Sequence, residues 1–424
     1  MALKNRLDPQ TLLALAVIFI CFALRLVWIG DMEFKGDEKD IAQLIATLGT
    51  RPFQVGVTPS YHSGITPSAG FFYWVRWISL GATEPLTFGF AIALFNALSI
   101  AAPLWFLRHS RPALLGFTLS ATSMAWVIHS RKIWNPDLVA SWMSLSAMFL
   151  AMAIDAHFLK RRNLFLFLSG FTLVISGHMY LPGIFFGGLG TALAFIGVVL
   201  DFFPRSAQPN RFWLWGSLLG WITFIPYFAL MLFHSESFFR PGASTPHLAW
   251  DQLWNIVKME ATLPTPYSIY SLYLRPALSW MRQYSPSLIL ELTVFWTLLS
   301  SVLGAFLFWI CLIRMTCQWR KALQNPILLG ALCLLLFTPI ALFFMRLGTY
   351  IHYWLGVLPW VYYGMGWAVS SKGSSIKLQK TLKTAAWACC ILSAIATVHF
   401  LILVHVNHGL PGEYGPAFHM QNGK

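Results

Sequence analysis

Apolar runs of about 20 residues recur along almost the whole chain, and a run of that length is what a helix needs to cross hydrocarbon. Inside a bilayer the backbone polar groups must be satisfied within the segment itself, so such runs fold as helices. Charged residues make up 10% of the 424-residue chain, against about 25% in a soluble domain. The expected fold is an all-α polytopic membrane protein with about 11 transmembrane helices, read as a single domain over 1–424. The spans fall near 11–29, 86–107, 113–130, 136–156, 164–178, 181–200, 212–233, 288–313, 326–345, 350–369 and 384–405. The first run lacks a small-residue cleavage site and reads as a retained anchor.

Charge orients these spans. With the N-terminus inside, 16 of the 29 Lys and Arg residues fall in short inward segments, as the positive-inside rule expects. Only Asp8, Asp155 and Asp201 of the 15 acids fall on that side, so the outer face holds nearly all the carboxylates. A net charge of +14 carried in short loops follows from membrane topology and gives no sign of nucleic acid. The six cysteines lie in spans or inward loops, which indicates neither a disulfide framework nor a CxxC metal site. The expected location is the plasma (inner) membrane, with the N-terminus cytoplasmic and the C-terminus and active site outside, on the periplasmic side.

Two outward segments are long, about 30–85 and 234–287, and a turn-rich tail of 406–424 also faces out. Long loops are where function concentrates. The first contains Asp37-Glu38-Lys39-Asp40 directly after the first span. Carboxylates beside hydrocarbon are costly, which makes this run a functional candidate. Ile41, Leu44, Ile45 and Leu48 recur at helical spacing after it, and Asp37 projects onto the middle of that stripe with Glu38 toward its edge. Asp37 also fits a helix N-cap, with Asp40 three residues on as a weak capping box. Phe71-Phe72-Tyr73-Trp74-Val75-Arg76-Trp77 reads as a second, interfacial helix.

A first span, an outer loop whose Asp-Glu pair opens an amphipathic helix, and an aromatic second helix together resemble the polyprenyl-phosphate-sugar-dependent glycosyltransferases. These are GT-C-fold enzymes that include protein O-mannosyltransferases and the aminoarabinose transferases of lipid A. The resemblance implies a catalytic base at Asp37, with Glu38 beside it. Where that family often has Pro-Pro-Leu-Tyr-Tyr-Trp, this chain has Thr66-Pro67-Ser68-Ala69-Gly70-Phe71-Phe72-Tyr73-Trp74, without the acidic-basic pair before the prolines.

Other short outward turns supply the remaining candidates. The family often has Arg then Asp at the outer end of the fourth span, and here His129-Ser130-Arg131-Lys132-Ile133-Trp134-Asn135-Pro136-Asp137 fills that place. Arg131 and Lys132 are candidates for the donor phosphate through charge-assisted contacts, and Asp137 for positioning the acceptor or a cation; an Arg131–Asp137 ion pair is the structural alternative. The resembled family commonly shows a basic residue, an aromatic pair and Pro at the start of the tenth span, matched here by Arg346, His352-Tyr353 and Pro359. Arg346 is the leading candidate for stabilising a departing phosphate, with His352 and Tyr353 beside it. His178 and Tyr180, in the turn Gly177–Pro182, are further candidates for positioning acceptor or cation. No cofactor is required by the sequence. A divalent metal is compatible with the outward histidines, although no HxH or HxxxH spacing assigns its ligands.

These pieces imply a membrane glycosyltransferase that moves a sugar from a polyprenyl-phosphate-linked donor to an acceptor hydroxyl at the outer face. Its partners would be that donor, membrane lipids, and a lipid, glycan or protein acceptor, with no nucleic acid. A transporter or flippase of polyprenyl-linked glycans would use similar parts, with Arg25 as the plausible deep charge. An O-antigen ligase or polymerase would depend instead on Arg and His in the large late loop.

Overall fold

The computed structural model describes residues 8–48, 68–199, 211–233, 250–284, 287–344, 351–371, 376–412 and 414–421. Asp8 starts the first helix: its carboxylate accepts the N–H groups of Gln10 (2.9 Å) and Thr11 (3.0 Å), and Pro9 occupies a first-turn position where no N–H is needed. That helix, α1, runs Pro9–Leu26. Two short helices follow in the first outer segment, α2 (Gly36–Ala46) and α3 (Gly70–Ile78). Then come α4 (Pro85–Phe106), α5 (Arg111–Thr122), α6 (Met124–His129) and α7 (Val139–Ile154). The series continues with α8 (Arg162–Met179), α9 (Leu181–Val199), α10 (Arg211–Ile222) and α11 (Ile225–Phe233). The late segment contributes α12 (Trp250–Ala261) and α13 (Arg275–Tyr284), separated by a helical turn over 267–274. The last four long helices are α14 (Leu288–Cys317), α15 (Pro326–Phe344), α16 (Leu358–Ser370) and α17 (Ile376–Asn407).

Among the described residues, seven helical segments are long and apolar enough to cross a membrane, and the pair α10–α11, bent by 47°, makes an eighth. The chain is a multi-pass membrane protein. The other three of the eleven expected spans are helical but differ in kind. The segment near 113–130 breaks at Ser123 into α5 and α6, α8 carries Arg162, Asn163 and His178 within its 18 residues, and α16 has 13 residues. Helix α8 packs against α7, α9 and α10, while α5 packs on α16, α14 on α17, and α1 on α4.

Two polar side chains deep in the bundle have structural work. The break at Ser123 leaves the last carbonyls of α5 without helical partners. Arg25, fully buried, donates to two of them, Ala121 O at 2.9 Å and Ser120 O at 3.5 Å. Asn96 joins three helices: its Oδ1 accepts from Trp126 Nε1 (2.8 Å) on α6 and Ser141 Oγ (2.7 Å) on α7. Small residues let helices approach elsewhere, as expected in a membrane bundle. A Cβ on Gly116 would lie 2.7 Å from the Tyr362 carbonyl oxygen and 2.8 Å from Tyr363 Cα on α16, both rigid backbone. Gly116→Leu is therefore expected to destabilise the protein by about 1–3 kcal/mol or more. Thermal unfolding in detergent checks this, with Gly188→Leu as control, since nothing lies within 4 Å of the Cβ position there. Equal midpoints for the two variants would contradict the close approach of α5 and α16.

One end of the bundle gathers the C-terminal ends of α1, α6, α8 and α17 with the N-terminal ends of α4, α7, α9 and α16. The C-terminal tail folds back over this end. Its Gly409–Leu410 and Gly415–Pro416 strands pair, Ala417 bridges to Glu33, and Phe418 N–H donates to Met32 O at 3.2 Å. Tyr414 donates to Asp31 O (2.6 Å), and the Asp31 carboxylate accepts from His405 (2.7 Å) and His419 (2.9 Å). Residues 29–34, which lead into α2, are thus held from behind.

Candidate active site

Helix α2 is turned differently from the sequence expectation. Its buried face is Glu38, Ile41, Ala42 and Ile45, so Glu38 (2% exposed) rather than Asp37 lies on the apolar stripe, and Asp37 is half-buried beside it. The N-cap is Lys35, not Asp37, and Glu38 rather than Asp40 reaches back to accept the Lys35 N–H at 3.2 Å. Lys132 acts on that carboxyl and offsets part of the cost of burying it. Burial is the largest influence on Glu38 and pushes its carboxyl up to about 7, with Lys132 opposing and Glu33 reinforcing the rise.

That shift sets a pH dependence. Against an ordinary value of 4.5, the folded protein holds the Glu38 proton more tightly than the unfolded chain. The associated stability is complete below about 4.5 and is lost as pH rises through about 7. Glu38→Gln keeps an acceptor for Lys35 and removes the titration. Its unfolding temperature should fall less than that of wild type between about pH 5 and about pH 8. Parallel falls would mean that another group titrates.

Lys132 is the centre of the cluster. Its ammonium lies 3.2 Å from Glu33 Oε2, 3.5 Å from the Tyr273 hydroxyl and 4.2 Å from the centroid of the Trp134 ring. Tyr273 donates to the same Glu33 oxygen at 2.9 Å, and Lys35 lies 3.0 Å from the other. Burial works against the charged ammonium, but Glu33, Tyr273, Glu38 and Asp137 outweigh it and hold the Lys132 pKa well above its ordinary value. Asp137 is buried with its Oδ1 3.6 Å from His129 Nδ1. Trp134 carries the cluster to His352, edge-on at 4.4 Å, and His352 adjoins Tyr353 at 4.2 Å between centroids. Tyr353 stacks on Tyr180 at 5.9 Å and is its hydrogen-bond partner. Burial, then Tyr353, then the charge of Asp37 raise the Tyr180 phenol well above its ordinary value, which links Asp37 to this aromatic group. Next to them, Pro182, Phe185, Phe186, Ala341, Leu342 and Tyr353 line a narrow apolar cleft between α9 and α15.

The structure therefore brings together Asp37, Glu38, Lys132, Asp137, Tyr180, His352 and Tyr353. It turns two other candidates elsewhere. Arg131 is adjacent in sequence to Lys132 but points back, donating to the carbonyls of Leu24, Arg25, Val27 and Trp28 at 2.6–3.2 Å. It caps the end of α1, where carbonyls have no helical partner, and makes no ion pair with Asp137. His178 sits in the last turn of α8 rather than in a loop. Its ring nitrogens are each 2.7 Å from a hydroxyl, Ser68 and Thr223, and the ring stacks on Phe224 at 3.7 Å. Arg346 lies outside the described residues.

Solved structures share this arrangement of helices. ArnT from Cupriavidus metallidurans in the apo state aligns over 93% of this chain and 75% of its own, with TM-score 0.52 and 14% identity. The chain has the GT-C fold. The same ArnT bound to undecaprenyl phosphate aligns over 94% of this chain and 70% of its own, at TM-score 0.50 and 15% identity. An Archaeoglobus fulgidus oligosaccharyltransferase tethered with an acceptor peptide containing the NVT sequon aligns over 92% of this chain, at TM-score 0.50 and 14% identity. The chain spans about half of that enzyme, 55% of its length. No protein-family model matches the sequence, and no curated protein matches it.

Within this GT-C bundle, sequence reading missed Glu33 and Tyr273, which fix Lys132. Their signal was thin: Glu33 precedes Asp37 by four residues, and Tyr273 is one tyrosine of several in the late loop. A divalent cation fits here in chemistry more than in spacing. The His129 nitrogens, both Asp137 carboxylate oxygens and Asn135 Oδ1 are buried without hydrogen-bond partners, which suits a polar ligand or cation. Asp137, His129 and Glu38 are the residues that would hold one, and it would add positive charge next to a phosphate. Among the described residues these donors do not close into a three-ligand group, and Lys132 already supplies a cation.

Proposed function

We propose that the protein transfers a sugar from a polyprenyl-phosphate-linked donor to an acceptor hydroxyl at the outer membrane surface, by a single displacement that inverts the anomeric carbon. The observation that supports this reading is the juxtaposition of three parts at one end of the bundle. They are the half-buried carboxylate of Asp37, the buried ammonium of Lys132, and the apolar side chains of α9 and α15 that adjoin Tyr353. A lipid-linked sugar needs those three things, hydrocarbon for its tail, a fixed cation for its phosphate and a base facing the sugar.

In the proposed reaction Asp37 takes the proton of the acceptor hydroxyl as its oxygen bonds to the anomeric carbon. The bond from that carbon to the phosphate oxygen breaks, and polyprenyl phosphate leaves with the electron pair. Lys132, with Arg346, His352 and Tyr353, stabilises the leaving phosphate. Glu38 and Glu33 hold Lys132 in place, Asp137 and Tyr180 position the acceptor or a cation, Arg131 holds the carbonyls at the end of α1, and His178 joins the hydroxyls of Ser68 and Thr223. The orientation rests on the basic residues of the opposite end, among them Arg108, Arg111 and Lys160-Arg161-Arg162. The outer acceptor is a lipid, a glycan or a protein.

A transport reading used Arg25 as its deep charge, and that guanidinium is committed to the carbonyls of α5. A ligase or polymerase reading leaves the first acidic helix incidental, whereas Glu38 and Glu33 are buried around Lys132. The test is incubation of purified protein with a panel of radiolabelled polyprenyl-phosphate hexoses and pentoses, with native membranes as acceptor source. Label appearing in an acceptor supports transfer and identifies the sugar. Folded protein that binds the lipid but consumes no donor would move the reading to transport.

A further inference from the structure

At the end of the bundle opposite Lys132, two connections meet. His109 lies between α4 and α5, and Asp155 and His157 lie between α7 and α8. Asp155 closes α7 and opens the turn Ala156–Arg161, accepting the His157 N–H at 2.9 Å. The same carboxylate oxygen is 2.8 Å from His157 Nδ1, and its other oxygen is 3.0 Å from His109 Nε2. The two imidazoles lie 4.0 Å apart between centroids. One donor atom from each of the three residues falls within 4.8 Å of the others, and no other group of three or more His, Cys, Asp or Glu among the described residues does so.

We propose that His109, Asp155 and His157 form a binding site for a divalent cation of the zinc class, on the membrane face opposite the candidate active site. Two imidazoles with one carboxylate are a set that suits zinc, nickel or cobalt(II), whereas magnesium and calcium favour oxygen ligands throughout. A zinc-class ion about 2.0–2.2 Å from each ligand holds those ligands roughly 3.3 Å apart. Each imidazole nitrogen is 2.8 or 3.0 Å from its own Asp155 oxygen, a few tenths of an ångström short of that, and the three donor atoms lie within 4.8 Å of one another. Metal entry would replace the protons now shared with Asp155, and small ring rotations would open the gap. His109 and Asp155 are largely enclosed (29% and 16% exposed), whereas His157 at 66% is free to rotate and leaves a coordination position to water.

The guanidinium next to His109 in sequence is directed away from the site. Arg108 donates to Thr11 Oγ1 (3.1 Å) and Trp105 O (2.7 Å) and lies over the Trp105 ring. Lys160, Arg161 and Arg162 on the same face oppose a dication, so binding is weaker than in a closed four-ligand zinc site. A bound ion would clip the α4–α5 connection to the α7–α8 connection, far from the transfer chemistry and independent of it.

The test uses the full chain in detergent, stripped with chelator and titrated with Zn²⁺ alone by calorimetry, with Co²⁺ absorption as a second signal. One equivalent of Zn²⁺ is expected, with a Co²⁺ visible spectrum and no heat from Mg²⁺. His157→Ala, exposed and safe for folding, and Asp155→Asn should each weaken Zn²⁺ binding by more than about tenfold. Asp137→Asn, in the cluster at the other end, should leave it unchanged. Wild-type uptake no greater than that of His157→Ala would overturn the site and leave Asp155 as a hydrogen-bond acceptor for two histidines. Loss of the ion in Asp137→Asn instead would put it in the Lys132 cluster and overturn the proposal equally.

Discussion

Asp37→Asn is expected to lower sugar transfer by about 10²–10⁴-fold, the usual worth of a general base, while leaving the fold and donor binding in place. The substitution keeps size and removes the ability to take a proton together with the negative charge that acts on Tyr180. Helix α2 does not depend on it, because Lys35 is the N-cap and Glu38 accepts the Lys35 N–H. The Lys132 cluster does not depend on it either, since the ammonium is held by Glu33 and Tyr273. Transfer from a labelled polyprenyl-phosphate sugar gives the rate, and binding of the sugar-free polyprenyl phosphate gives the control. Unfolding temperature and lipid affinity should match wild type within error. Turnover within a few fold of wild type would remove Asp37 as base and leave Glu38, with its raised pKa, as the acid to examine.

How far such a site can be read from sequence is visible in its neighbouring residues. The fold was legible because hydrocarbon permits one solution for long apolar runs, and the same alternation of direction put Asp37, Lys132, Asp137, Tyr180 and His352 at one end. Side-chain direction was less legible. Arg131 and Lys132 are consecutive cations in a short turn, yet one closes the end of α1 and the other enters the acid cluster. Their difference is set by the carbonyls of Leu24–Trp28 and by Glu33, which the turn's own sequence does not contain. The register of α2 failed for a related reason. Hydrophobic periodicity assumes that charge faces out, and Glu38 faces in with its carboxyl pushed up to about 7 by burial, a cost that a lysine nearly a hundred residues away offsets in part. Glu33 and Tyr273 were least legible, being 240 positions apart in the chain and joined by a 2.9 Å hydrogen bond.

Lys132→Met should be the most damaging single change to stability in the cluster. Lys132 and Glu33 are 5% and 4% exposed, and the pair is isolated from water that could take over either charge. Removing one partner of a buried ion pair typically costs about 3–5 kcal/mol, because the other charge is left uncompensated. Here the loss leaves Glu33 with Lys35 at the rim as its remaining cation and deprives Glu38 and Asp137 of the charge they share. Lys132→Met with Glu33→Gln removes both formal charges and retains an acceptor for Tyr273. That double variant should recover much of the lost stability, giving a coupling of roughly 0.5–3 kcal/mol in a cycle of thermal or denaturant unfolding measured in detergent. Its transfer activity should stay low, because a neutral pair cannot stabilise a leaving phosphate. The two readouts separate two roles for one residue. Recovery of both stability and transfer would reduce Lys132 to a packing partner of Glu33 and shift the phosphate role to Arg346 and His352. No stability loss in Lys132→Met alone would mean that the buried pair is not what fixes residues 29–34 against the bundle, and that the docked tail, through Ala417 and Phe418, holds them instead.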